Sequence, residues 1–228
     1  PQFLGGELKT IITGAALVPP RLSVEFDKLG VTLHAGYGMT EGANLTSANA
    51  NTKERPDSVG KIYPEQEVKI VEGELWFRGD NTFLGYYGDP ENTAATLTED
   101  GWVKTGDLAR FDDEGFLYIT GRIKNIIILS NGENISPEVI EDKFYKYPTV
   151  KDCLVKEDTL NGEGVIAIEI LPQMPAFEGK PWDEIEAYFT KLVEEVNAGM
   201  PSVQRVSKVT VRKEDFKRTS SLKVARNQ

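Results

Sequence analysis

The chain has 228 residues with 26 basic against 36 acidic side chains, a formal net charge of −10. That balance argues against a nucleic-acid surface and against electrostatic attachment to anionic lipid, and an apolar content of 39% suits a soluble, acidic, cytosolic protein of one or two domains. The single cysteine, Cys153, excludes an intrachain disulfide and any multi-cysteine metal site, and the single histidine, His34, leaves no histidine-based metal site. Cys153 sits in an apolar run and is expected to be a buried, inert thiol. No stretch reaches the ~20 apolar residues of a membrane span. The chain starts with Pro1 rather than Met, and the expectation is a piece of a longer polypeptide.

In chain order, Leu8–Thr13 reads as a buried strand, turned by Gly14-Ala15-Ala16. Pro19-Pro20 opens a helix through Leu29, with Gly30 just past its end. Val31–Leu33 is the next strand. Strand, helix and strand in this short span make a parallel βαβ unit, whose loops leave from the carboxyl ends of the strands, where open α/β sheets hold ligands. Gly14-Ala15-Ala16 and Gly36-Tyr37-Gly38 fall on that edge together. The second strand is expected to empty into Gly36-Tyr37-Gly38-Met39-Thr40-Glu41-Gly42. Three glycines there allow close backbone approach to a ligand. Between them stand a ring for a base, a hydroxyl for phosphate and a carboxylate for Mg²⁺. A plain glycine-rich turn with a surface Thr-Glu pair fits this stretch alone equally well.

Asn44–Ser58 reads as a polar loop. From Val59 short antiparallel strands follow: Glu67–Val71, Gly73–Gly79, then a hairpin of Trp102–Phe111 and Gly115–Ile119. Asp89-Pro90 starts a short helix through Leu97. Past Gly121-Arg122 comes a fresh α+β set. It has a strand at Ile126–Leu129, a turn at 130–134, and a helix capped by Ser136 that carries Val139, Ile140, Phe144 and Tyr147 at helical spacing. Strands follow at Val150–Val155, Gly164–Leu171 and Val206–Val211. Trp182–Val196 is an amphipathic helix with Ile185, Phe189, Leu192, Val193 and Val196 inward. The tail from Phe216 is basic and polar.

Five stretches in this order carry a resemblance. They are Gly36–Glu41; Gly73-Glu74-Leu75 with Gly85-Tyr86-Tyr87 and Pro90–Thr93; Trp102–Leu108 with its Thr105-Gly106-Asp107; Gly121–Ile127; and Asn131–Glu141. Together they resemble the adenylate-forming superfamily of acyl-CoA synthetases, adenylation domains and luciferases, from Thr13 to Arg226. The resemblance implies an α/β and α+β fold. Residues 1–122 would end a large α/β AMP-binding domain with a small β-barrel-like subdomain, and 123–228 would form a mobile α+β C-terminal domain. It implies an AMP-forming ligase that joins a carboxylic acid, a fatty acid or similar, to ATP as an acyl-adenylate and then passes it to coenzyme A. Loading an acyl carrier protein, or a non-catalytic nucleotide-binding relative, stay open as alternatives.

The implied roles follow position by position. Gly14, Ala15 and Ala16 lie beside adenine and the acyl group. Tyr37 stacks on adenine, with Gly36 and Gly38 giving close backbone approach. Thr40 binds phosphate and Glu41 holds Mg²⁺. Asp107 accepts both ribose hydroxyls, with Ile119 and Arg122 as further nucleotide contacts. Lys124 is the hinge, and Gly132 and Glu133 enter the site in the thioester-forming state. Lys223 neutralises charge at the α-phosphate. The alternatives are an ordinary surface lysine at 124, a plain hairpin turn at 132–134 and a disordered basic tail. Two positions depart from the closing motif of the family, Lys217 in place of Pro and Leu222 in place of Gly. No Ser/Thr/Gly-rich phosphate-gripping loop stands upstream of Gly14, so the N-terminal part of the same enzyme is the implied partner. This chain alone is expected not to catalyse ATP–pyrophosphate exchange.

Overall fold

The computed structural model describes residues 5–14, 18, 20–43, 46–49, 55–129, 132–219 and 224–226, with only the backbone of residues 20 and 21. The chain divides into two compact units, residues 1–124 and 125–228, each described by itself.

In the first unit, β1 (Thr10–Thr13) pairs in parallel with β2 (Thr32–Tyr37), and α1 (Pro20–Lys28) crosses between them. Gly30, at φ 74, ends α1: its N–H bonds to Asp27 O at 2.9 Å, and that of Val31 to Phe26 O at 3.0 Å. Only glycine takes this left-handed step cheaply. The structure corrects two expectations. β2 does not stop at Leu33 but runs through Gly36 and Tyr37, because these pair antiparallel with β3 (Ser47–Asn49). β3 itself lies in the stretch expected to be a loop. It continues to β4 (Lys61–Ile62), giving a sheet of order β1-β2-β3-β4. β1 pairs with β2 alone among the described residues, and Ile12 on it is 67% exposed.

A second sheet, order β5-β6-β7-β8, is antiparallel throughout: β5 (Gln66–Val71), β6 (Glu74–Gly79), β7 (Val103–Phe111) and β8 (Leu117–Arg122). A bridge between Gly60 and Leu117 ties it to the segment before β4. Leu75, Phe77, Val103 and Leu117 are fully buried in it. α2 (Pro90–Thr96) starts where Asp89 accepts the N–H of Asn92 at 3.0 Å, with proline in its first turn.

In the second unit, β9 (Ile127–Ile128) pairs with β10 (Asn134–Ile135), and α3 (Pro137–Tyr145) follows. Ser136 precedes α3, but its side chain makes no cap hydrogen bond, contrary to expectation. Ile140 and Phe144 are buried on the inner face of α3 while Val139 is only half-buried. β11 (Val150–Leu160) and β12 (Glu163–Pro172) form a long hairpin closed at Asn161 (φ 53) and Gly162 (φ 86). Two positive φ values are the signature of a tight hairpin turn. α4 (Trp182–Ala198) then crosses over, and β13 (Lys208–Val211) joins β12 in parallel. The apolar stripe of α4, Ile185, Phe189, Leu192, Val193 and Val196, packs with α3 and the sheet into one core that also holds Cys153. Burying a side chain such as Phe189 contributes about 1.5–3 kcal/mol. Among the described residues no helix is long and apolar enough to cross a membrane.

Candidate functional site

The carboxylate at the centre of the site is Asp107, 3% exposed. A bulge in β7 puts it there. β6 and β7 shift register between Glu74 and Trp76, and Gly106 sits at φ 69 inside the irregularity. Three bonds fix the bend. Gly106 N–H donates to Glu74 Oε1 at 2.7 Å, Thr105 Oγ1 donates to Leu75 O at 2.6 Å, and Asp107 N–H donates to Thr105 Oγ1 at 3.0 Å. A bulge of this kind re-aims a side chain that regular alternation would place elsewhere.

Two side chains converge on Asp107. Arg122 is its cross-strand partner on β8, and Nε donates to Oδ1 at 2.6 Å. Tyr37, seventy positions away at the end of β2, donates its hydroxyl to Oδ2 at 2.7 Å. Burial first, then the negative charge of Asp107, holds the Tyr37 phenol well above its usual range, so it stays a donor. Tyr37 and Ile119 both pack on the cluster of Leu75, Ala109 and Leu117. An ionised carboxylate offers about four acceptor directions, which suits it to bonding several donors at once.

At the adjoining strand ends, Gly14 and Gly36 lie side by side. A Cβ on Gly14 would stand 3.1 Å from Gly36 O. Ala15 and Ala16 lie outside the described residues. Beyond Gly38 the chain forms a 3-10 turn, Thr40–Gly42, with Thr40 exposed and Glu41 half-buried. Gly42 is tightly seated, since a Cβ there would come within 2.7 Å of the Phe77 ring. Asn81 Nδ2 donates to Gly42 O at 2.6 Å and Phe83 N–H to Glu41 O at 2.8 Å. Glu41 does not join the Tyr37–Asp107–Arg122 group directly. Its Oε1 accepts the Tyr86 hydroxyl at 2.5 Å, beside an open depression of about 440 Å³ lined by Leu84, Tyr87, Asp89 and Thr93. That bond is the first cause that raises the Tyr86 phenol.

No group of three or more His, Cys, Asp or Glu side chains could hold a metal among the described residues. A lone carboxylate still fits Mg²⁺, which is commonly held by one or two carboxylates plus substrate phosphates and water. Glu41, with Thr40 at its side, meets that description.

Lys124 is exposed in the 3-10 turn Ile123–Asn125. Gly132 (φ 83) and Glu133 are exposed in the turn between β9 and β10, closed by Gly132 N–H to Leu129 O at 2.8 Å. Lys223 and Leu222 lie outside the described residues. Cys153 is 2% exposed and burial pushes its thiol well up. Glu74, Thr105, Asn81 and Tyr86 position the site residues, and sequence reasoning gave them no role. Glu74, Thr105 and Tyr86 stand inside the quoted motifs. Asn81 had no such signal.

A buried carboxylate gripped by a ring hydroxyl and a guanidinium thus lies beside glycine-lined strand ends in a mixed α/β unit, and a separate α+β unit follows in sequence. The chain belongs to the adenylate-forming superfamily: residues 2–87 match the AMP-binding enzyme family, and residues 124–228 match the AMP-binding enzyme C-terminal domain. It is 36% identical over 177 residues to a long-chain-fatty-acid–CoA ligase of Mycobacterium bovis, covering 77% of this chain and 29% of that one. It is 34% identical over 180 residues to a long-chain-fatty-acid–CoA ligase of Bacillus subtilis, covering 72% and 32%. The chain thus spans about a third of the length of these curated relatives. The o-succinylbenzoate coenzyme A synthetase of Bacillus subtilis, solved in complex with ATP and magnesium ion, shares the fold. Its TM-score is 0.79 at 26% identity, over 100% of this chain and 49% of that chain. The amide bond synthetase of Marinactinospora thermotolerans gives 0.80 at 25% identity, over 96% and 45%.

Proposed function

We propose that this chain is the carboxyl-terminal part of an AMP-forming acyl-CoA synthetase acting on a fatty acid or a similar carboxylate. The substrate's carboxylate oxygen attacks the α-phosphorus of ATP, the bond to pyrophosphate breaks, and an acyl-adenylate forms. The thiol of coenzyme A then attacks the acyl carbon, AMP leaves, and a thioester results. The observation that carries the reading is the meeting of Tyr37, Asp107 and Arg122. These residues, far apart in sequence, were each expected to touch the same nucleoside.

In this reading Asp107 accepts the ribose hydroxyls, and Arg122 holds it aimed. The Tyr37 ring, fixed at its hydroxyl end, presents a face to adenine, with Ile119 as a neighbouring wall. Gly14, Ala15 and Ala16 line the adenine and acyl side, and Gly36 and Gly38 let backbone approach the nucleotide. Thr40 meets phosphate, and Glu41 holds the Mg²⁺ that offsets phosphate charge. Lys124 is the hinge between domains 1–122 and 123–228, Gly132 and Glu133 serve the thioester step, and Lys223 supplies the cation at the α-phosphate, where charge develops. The similarity to long-chain-fatty-acid–CoA ligases of Mycobacterium bovis and Bacillus subtilis supports a long-chain fatty acid.

The test is Asp107→Ala in the full-length polypeptide. Losing an acceptor for two hydroxyls should raise the KM for ATP about 10–100-fold in fatty-acid-dependent ATP–pyrophosphate exchange. An unchanged KM with normal folding overturns the site assignment. The 228-residue chain by itself should give no exchange, and robust exchange by it overturns the reading of it as a part.

A further inference from the structure

The stretch between β6 and α2 runs along the 3-10 turn Thr40–Gly42 and holds it at three points. Asn81 Nδ2 donates to Gly42 O at 2.6 Å, Phe83 N–H donates to Glu41 O at 2.8 Å, and the Tyr86 hydroxyl donates to Glu41 Oε1. The first two bonds fix backbone. The third fixes the carboxylate. Tyr86 is itself seated from its other side. Its N–H donates to Thr93 Oγ1 at 2.9 Å, and that hydroxyl donates to Asp89 O at 2.7 Å at the head of α2. Gly85 (φ 137) lies so close to Thr93 that an added Cβ would stand 2.8 Å from Thr93 Cγ2. The rings of Phe83 and Tyr86 meet edge to face, with centroids 5.0 Å apart.

A simpler role for the Tyr86 hydroxyl, tying the loop to the turn, is already filled by Asn81 and Phe83. Tyr86 is 37% exposed, so water can take the place of a lost partner there, and the bond adds little to the stability of the unit. What it adds is direction. A glutamate side chain turns about several single bonds, and ordering it opposes whatever it binds. Mg²⁺ demands near-ideal octahedral geometry and is held by only one or two carboxylates, so the placing of each one counts. Carboxylates that ligate metals are themselves held by hydrogen bonds, and losing such a partner costs about 10–100-fold in metal affinity or activity.

We propose that Tyr86 is a positioning residue for Glu41 and sets how much Mg²⁺ tightens nucleotide binding. This rests on the reading of Glu41 as the Mg²⁺ ligand given above. The test is titration calorimetry on the full-length polypeptide, with a non-hydrolysable ATP analogue in EDTA and again in excess Mg²⁺. The ratio of the two dissociation constants measures what the ion contributes. Tyr86→Phe should cut that ratio about tenfold against the parent and change the dissociation constant in EDTA less than about twofold. Its melting should match the parent, because the ring keeps its contact with Phe83. An unchanged ratio overturns the proposal. So does equal weakening with and without Mg²⁺, or a variant that melts far below the parent, since either marks the hydroxyl as a structural bond. Glu41→Gln tells the two levels apart. A parental ratio there removes the reading of Glu41 and the proposal with it. A collapsed ratio there beside a parental ratio in Tyr86→Phe removes only the positioning role. In the double variant Tyr86→Phe should add nothing to Glu41→Gln, and a further tenfold loss overturns the proposal.

Discussion

Tyr37→Phe removes one oxygen and keeps the ring. Its effect follows from how Asp107 Oδ2 is satisfied. The Tyr37 hydroxyl stands 2.7 Å from it, and Arg122 Nη2 is at 3.5 Å, the limit of a useful bond. Asp107 is 3% exposed, so water does not replace the lost donor freely. A hydrogen bond to a charged, buried acceptor contributes about 1.5–3 kcal/mol. At about 1.4 kcal/mol per factor of ten, that is roughly a 10–150-fold change in an opening equilibrium. Global denaturation would mix the two units, so the measurement is native-state hydrogen exchange read by mass spectrometry. A peptide over Val103–Phe111 should exchange about 10–150-fold faster in the variant, while one over Glu163–Pro172 keeps its rate. Equal exchange of the β7 peptide in variant and parent would refute the account, and so would equal acceleration in both peptides. Asp107→Asn alone and with Tyr37→Phe completes a cycle, and the two changes should fall short of additivity because they share one bond.

Gly60→Ala should prevent the first unit from folding: at φ 94 its Cβ would lie 1.9 Å from the backbone of Ala48, a cost above ~4 kcal/mol, and a native-like far-ultraviolet spectrum with unchanged melting would contradict this. Asp215 is held down to about 2, first by its hydrogen bond with Lys151 and then by that with Arg218. A depressed carboxylate stabilises above its unfolded pKa, near 3.9, and that stabilisation is lost as pH falls toward about 2. Hydrogen-exchange protection around Phe216 should therefore hold down to about pH 4 and fall between about 4 and 2, a step that Asp215→Asn abolishes. Cys153 should resist a disulfide reagent in native buffer and react at once in urea, since it is 2% exposed with its thiol pushed up by burial; rapid native reaction would show that the core opens there.

Apolar periodicity made much of the fold legible. The five inward positions expected on α4 are the five found buried. The parallel pair β1–β2 followed from strand, helix and strand in a short span. β3 was invisible because it is a polar strand. Ser47 and Asn49 are fully buried, and they turn inward to bond Val59 O, Arg55 O and Ser58 O rather than apolar neighbours. The far half of β11 was missed for a related reason. Lys156–Thr159 is mostly charged and carries no apolar pattern, and the Asn161-Gly162 turn organises it. At the site, Tyr37, Asp107 and Arg122 were legible as motif residues. That Tyr37 and Asp107 would converge followed from the resemblance, but the bulge that aims Asp107 did not, because register shifts depend on side-chain-to-backbone bonds such as those of Thr105 and Glu74.

β1 has a further consequence. It leaves one side without a partner among the described residues, and Ile12 projects from it with most of its surface in water. A bare row of amide donors and acceptors beside an apolar side chain is a template for any extended segment in reach. Prepared alone, the chain should self-associate by strand addition as its concentration rises, and a charge at position 12 should suppress this without altering the second unit.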